Sequence, residues 1–131
     1  MAALELNQDT FEPTITQNAI VLIDFWAPWC GPCRNFAPVF EAASVRHPDA
    51  VFAKVNTDEQ QQLAATFEIQ SIPTLAIFRE QICVFMQPGA LPASALEQII
   101  ERVKALDMDD VRRRIAEHEA NGSAAEDSSG D

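Results

Sequence analysis

Trp26-Ala27-Pro28-Trp29-Cys30-Gly31-Pro32-Cys33 joins two segments with different apolar periods. Upstream, Ala19-Ile20-Val21-Leu22-Ile23 is a continuous, β-branched-rich run, as expected of a central strand covered on both faces, and it stops at Asp24. Downstream, from Cys30 to about Arg46, Phe36, Val39, Phe40, Ala43 and Val45 mostly follow three- and four-residue steps, which predicts a helix, kinked at Pro38. Two cysteines with two residues between them at a helix start lie one turn apart, close enough to bridge, with Cys30 on the exposed edge and Cys33 one turn in. Unpaired amides and the positive end of the helix dipole favour a thiolate at Cys30 and lower its pKa below that of a free thiol. Cys30 is then the nucleophile that attacks a target disulfide, and Cys33 is the resolving thiol that displaces the reduced product. Pro32 suits the first turn, where its missing amide hydrogen costs nothing, and Gly31 lets a partner backbone approach the sulfur.

The flanking sequence supplies the remaining elements. Leu4-Glu5-Leu6 reads as a short edge strand, followed by a helix entered near Asp9 and disturbed by Pro13. Val51 to Val55 is a second strand and Gln60 to Phe67 a short helix. Thr74 to Phe78 and Ile82 to Met86 form an antiparallel hairpin across Arg79-Glu80-Gln81. Leu96, Ile99, Ile100, Val103 and Leu106 make one helical stripe after Pro92. The order implies an α/β domain over residues 1–106, with a mixed sheet sandwiched between helices. Charge then shifts: residues 1–106 carry a net −6, and residues 107–131 a net −5. Met108, Val111 and Ile115 predict a short amphipathic helix over 107–119, with Asp107 as its N-cap. Residues 120–131 lack large apolar side chains and are expected to form a disordered acidic tail.

At 131 residues and a formal charge of −11, the chain is sized for one domain and repels phosphate backbones and anionic headgroups. Nucleic acid and membrane surfaces are therefore poor partners. No basic segment followed by a long apolar stretch opens the sequence, and three cysteines do not make the framework of a small secreted protein, so a reducing cytoplasm is the expected compartment. Zinc is the alternative use for Cys30 and Cys33. A structural site needs four ligands, and among the remaining candidates, Cys83, His47 and His118, no second pair has ligand spacing, so no metal is expected.

Asp24 two residues before Trp26, the segment Trp26 to Cys33, Lys54 in the next strand, and Ile72-Pro73-Thr74 together resemble the thioredoxin family, over residues 4 to about 106. The resemblance implies a thioredoxin fold, a central mixed five-stranded β-sheet flanked by four α-helices. It implies a protein-disulfide reductase that performs dithiol–disulfide exchange on client proteins and contributes to cell redox homeostasis. Such a protein is monomeric, needs no bound cofactor and is re-reduced by thioredoxin reductase, an NADPH-dependent flavoprotein. It further implies a cis Pro73 facing the cysteines, a substrate-binding role for Ile72 and Pro73, and a docking collar at Trp29, Gly31, Pro32, Ile72, Gly89 and Ala90. Asp24 matches the family's proton acceptor and donor, and Lys54 the lysine that modulates it. The residues agree on Asp24: a carboxylate ending an apolar run is desolvated, and its pKa rises toward a usable range.

Three features depart from the family pattern. Glu80-Gln81 stands where Asn-Gly is common, Pro88 precedes Gly89, and the acidic extension lies outside the minimal pattern. Cys83, inside an apolar run, is expected to be a small core hydrophobe, with a regulatory thiol as the alternative. His47 beside Pro48 reads as a helix end, Trp26 as core, and Trp29 as a partly exposed shield of the disulfide. Two other activities compete: a chaperone-like or scaffolding module that uses the apolar collar, and an oxidant or isomerase, which the Gly-Pro spacer disfavours.

Overall fold

The computed structural model describes residues 3–129, with side chains through Asn121. Strand β2 (Ile20–Trp26) is the middle of a five-stranded sheet of order β1-β3-β2-β4-β5. It pairs in parallel with β3 (Val51–Asn56) and antiparallel with β4 (Thr74–Arg79). The short β1 (Leu4–Glu5) and β5 (Ile82–Pro88) form the edges. Side chains alternate across the pleat, so each strand feeds two cores. Val21, Ile23 and Phe25 pack with Phe11 and Ile15 of α1 (Gln8–Gln17) and Leu63 of α3 (Gln61–Thr66). Ile20 and Leu22 face Phe36, Phe40 and Ala43 of α2 (Gly31–Arg46), with Leu96, Ile100 and Val103 of α4 (Ala93–Lys104). Each fully buried large side chain contributes about 1.5–3 kcal/mol. Five strands and four flanking helices are the expected architecture.

Helix α1 is entered near Asp9, as expected, and Asn7 caps it: its Oδ1 accepts from the Asp9 and Thr10 amides at 2.9 Å, and Asp9 sits in the first turn. Other local details differ from the sequence reading. Cys83 is exposed rather than core. An unbroken apolar run suggests burial, but β5 is an edge strand, and it is bulged opposite Ile77 and Phe78. The tight hairpin survives without glycine. Glu80 and Gln81 take φ of 50° and 71°, the left-handed pair of a type I′ turn, and the Glu80 amide donates to the Ala19 carbonyl at 2.8 Å.

The last elements are tied by cations. Arg79 Nη1 donates to the carbonyls of Val103, Lys104 and Leu106 at 2.7, 3.1 and 2.9 Å, satisfying groups that the end of α4 leaves open. Helix α5 (Met108–Ser129) starts as expected, with Asp107 Oδ1 accepting from the Asp110 amide at 3.2 Å, Met108 buried, and Arg112 bridging to Glu80 at 2.8 Å. It runs past 119 to Ser129, through most of the stretch expected to be disordered. Residues 130 and 131 of that stretch lie outside the described residues. Among the described residues, no helix is long and apolar enough to cross a membrane.

Candidate active site

Cys30 is the N-cap of α2, with Gly31 and Pro32 opening the first turn. Its Sγ accepts from the Cys33 amide at 3.2 Å, so the sulfur takes the place of a capping oxygen at the positive end of the helix. The two cysteines are joined in a disulfide, with Cα atoms 5.2 Å apart. Contrary to the expected exposed edge for Cys30, both are covered, at 3% and 2% exposure. Ala27, Ile72 and Trp26 pack around them, and the Ile72 carbonyl oxygen lies 3.7 Å from Cys30 Sγ. What faces solvent instead is Trp29, 68% exposed, and Pro32. Covering the sulfurs confines access to a partner that presents its disulfide along this rim.

The loop before β4 and the loop after β5 meet at this rim. The Ile72–Pro73 bond is cis, and the Pro73 carbonyl accepts from the Gly89 amide at 2.8 Å. Gly89 has φ of 100°, a conformation that side-chain-bearing residues rarely adopt, and Ala90 follows it on the exposed loop. Residues from three separate parts of the sequence, 29–33, 72–73 and 89–90, thus contribute to one end of the sheet. Trp29 is held by a residue the sequence reading did not single out: its Nε1 donates to Asp58 Oδ2 at 2.9 Å. Asp58 lies 29 positions away, after β3, and no local pattern marks the pairing. Arg34 Nη1 likewise donates to the Pro28 carbonyl at 2.9 Å.

Asp24 lies on β2, on the face shared with Ile20 and Leu22, and is 2% exposed. Its Oδ1 has no hydrogen-bond partner. Burial pushes its pKa up from 3.8 to about 7, against the pull of the Lys54 ammonium and with a smaller push from the Glu5 carboxylate. Lys54 is its neighbour in the β2–β3 register. The Lys54 ammonium sits 4.5 Å from the Trp26 ring centroid and 4.0 Å from Glu5 Oε1.

One other cluster has metal-like composition. His47, Glu97 and Glu101 place ligand atoms within 4.8 Å of one another. His47 is buried at the end of α2, its Nε2 2.6 Å from Glu97 Oε1 and its Nδ1 2.7 Å from Lys104 Nζ. An ammonium can only donate, so Nδ1 accepts and the ring proton sits on Nε2, the nitrogen a metal would need bare. The cluster is a clamp between α2 and α4.

The family pattern described as Thioredoxin matches residues 2–102. The chain belongs to the thioredoxin family. A Streptomyces coelicolor protein described as a candidate thioredoxin 2 is 54% identical over 119 residues, covering 91% of this chain and 89% of that one. Thioredoxin 1 of a Nostoc species is 43% identical over 103 residues, covering 77% and 96%. Among solved structures, a thioredoxin from Halobacterium salinarum superposes with a TM-score of 0.74 at 34% identity, covering 80% of this chain and 93% of that chain. Plasmodium falciparum thioredoxin superposes at 0.72 and 37% identity, covering 76% and 98%. The Streptomyces match spans 91% of the chain, so it continues beyond Leu106 into α5. With the Cys30–Cys33 pair in bridging geometry, the family's activity is dithiol–disulfide exchange on protein substrates, and the family implies disulfide-bearing clients and a reductase partner.

Proposed function

We propose that the protein acts as a net reductant of client disulfides, with Cys30 as nucleophile, Cys33 as resolving thiol and Asp24 as the group that takes the Cys33 proton. The observation that carries the reading is Cys30 Sγ at the helix cap, accepting the Cys33 amide, with the second sulfur one turn away. In the dithiol form the Cys30 thiolate attacks one sulfur of the target, forming the Cys30–target bond and releasing a target thiolate. Cys33 then loses its proton to Asp24 and attacks Cys30 Sγ. The internal disulfide closes, the second target sulfur leaves, and two electrons have passed to the client. The second step is intramolecular, which gives it a high effective concentration of thiol.

Ile72, Pro73, Gly89, Ala90, Trp29, Gly31 and Pro32 would seat the client chain, and Lys54 would modulate Asp24. The regenerating partner in this reading is an NADPH-dependent thioredoxin reductase, the compartment a reducing cytoplasm, and the working form a monomer. The reading needs no bound cofactor. Reduction of a disulfide protein coupled to NADPH oxidation tests it. Cys30→Ser should abolish turnover, and Cys33→Ser should accumulate a covalent adduct with the client through Cys30. Turnover by Cys30→Ser, or an adduct through Cys83, would overturn the assignment.

A further inference from the structure

Glu5, Lys54 and Asp24 form one row across three adjacent strands: Glu5 pairs in register with Lys54, and Lys54 with Asp24. Neighbours in register share a face, so the three side chains project to the same side of the sheet. The row is asymmetric. Asp24 is buried and its Oδ1 is unpartnered, whereas the Glu5 side chain is half exposed and its Oε1 lies 4.0 Å from Lys54 Nζ. The lysine therefore has two carboxylates within the row and rests against the outer one, with its ammonium over the Trp26 ring.

We propose that Glu5 is a positioning residue for the exchange reaction: it holds the Lys54 ammonium at the rim of the sheet and so leaves the Asp24 carboxyl unpaired. This rests on the role proposed above for Asp24. Were Lys54 free to swing inward, an ion pair would hold Asp24 as a carboxylate and make it a poorer acceptor for the Cys33 proton. The charged groups acting on Asp24 are Lys54 from β3 and Glu5 from β1; Leu75, its neighbour on β4, is apolar, and α2 brings the Cys33 thiol when reduced. Glu5 itself feels burial first, then Lys54, the Trp26 indole, which lies outside hydrogen-bond geometry, and Glu59.

The test follows the Asp24 carboxyl carbon by NMR in the oxidised protein, where neither active-site thiol titrates. Wild type, Glu5→Gln, Lys54→Met and the double variant are compared. Glu5 lies two strand spacings from Asp24, about 10 Å, so its own charge and its hold on Lys54 together correspond to about 0.5–1 pH unit. Glu5→Gln should lower the Asp24 midpoint by that amount, and in the Lys54→Met background its effect should shrink to less than half. An unchanged midpoint in Glu5→Gln, or an equal shift in both backgrounds, overturns the proposal. Asp24→Asn, assayed separately for turnover against pH, tests the role of Asp24. If its profile matches wild type, that role fails, whatever the titrations show about Glu5.

Discussion

Removing the Asp24 carboxylate should make the protein more stable, and more so as pH rises. Burial lifts the Asp24 pKa from 3.8 to about 7. The folded chain then keeps a proton there that the unfolded chain has released, so between about pH 4 and 7 each rise in pH favours unfolding. Below pH 4 both states are protonated and the site is neutral in the balance. Above pH 7 the native state carries a desolvated charge, and the destabilisation is complete. About three pKa units at about 1.4 kcal/mol each make it ~4 kcal/mol. Asp24→Asn keeps the shape and removes the titration. Urea unfolding of both oxidised proteins at intervals from pH 4 to 8.5 should give curves that diverge by up to ~4 kcal/mol, with the variant gaining on wild type as pH rises. Parallel curves, or wild type gaining on the variant, would refute a raised pKa and remove the basis for Asp24 as a proton acceptor near neutrality.

Two further substitutions test the scaffold. Arg79→Met removes the donor to three carbonyls at the end of α4, and a loss of about 2–3 kcal/mol in urea unfolding is expected; a loss within 0.5 kcal/mol, roughly the ordinary surface range, would show that water replaces the guanidinium fully. Gln81→Gly relieves a left-handed non-glycine residue at φ 71° and should stabilise by about 0.5–1 kcal/mol, with a drop in midpoint as the contrary result.

The parts of this fold written in local periodicity were legible without coordinates. The run before Asp24 became β2 at the centre of the sheet, and the three- and four-residue steps after Cys30 became α2. The chemistry at Cys30 and Cys33 was legible for the same reason, because spacing along one helix start fixes their separation. Cys30 was misread as exposed because the residue that covers it, Ile72, is 42 positions away. Cys83 was misread because hydrophobicity alone does not say which strand is an edge. Asp58 and Glu5 left no local signal, since each acts on a residue that only sheet pairing or a distant loop brings near. The start of α1 was legible only as an entry near Asp9; the cap is Asn7, whose side chain accepts from the Asp9 and Thr10 amides while Thr10 completes the box.

The most direct check on the central claim is the pH dependence of iodoacetamide alkylation in the fully reduced protein, with the modified residue located by mass spectrometry. A sulfur capping α2 predicts that Cys30 is labelled first, with a midpoint clearly below the free-thiol value of about 8.5. A midpoint at or above about 8.5, or faster labelling of Cys33 or Cys83, would contradict it.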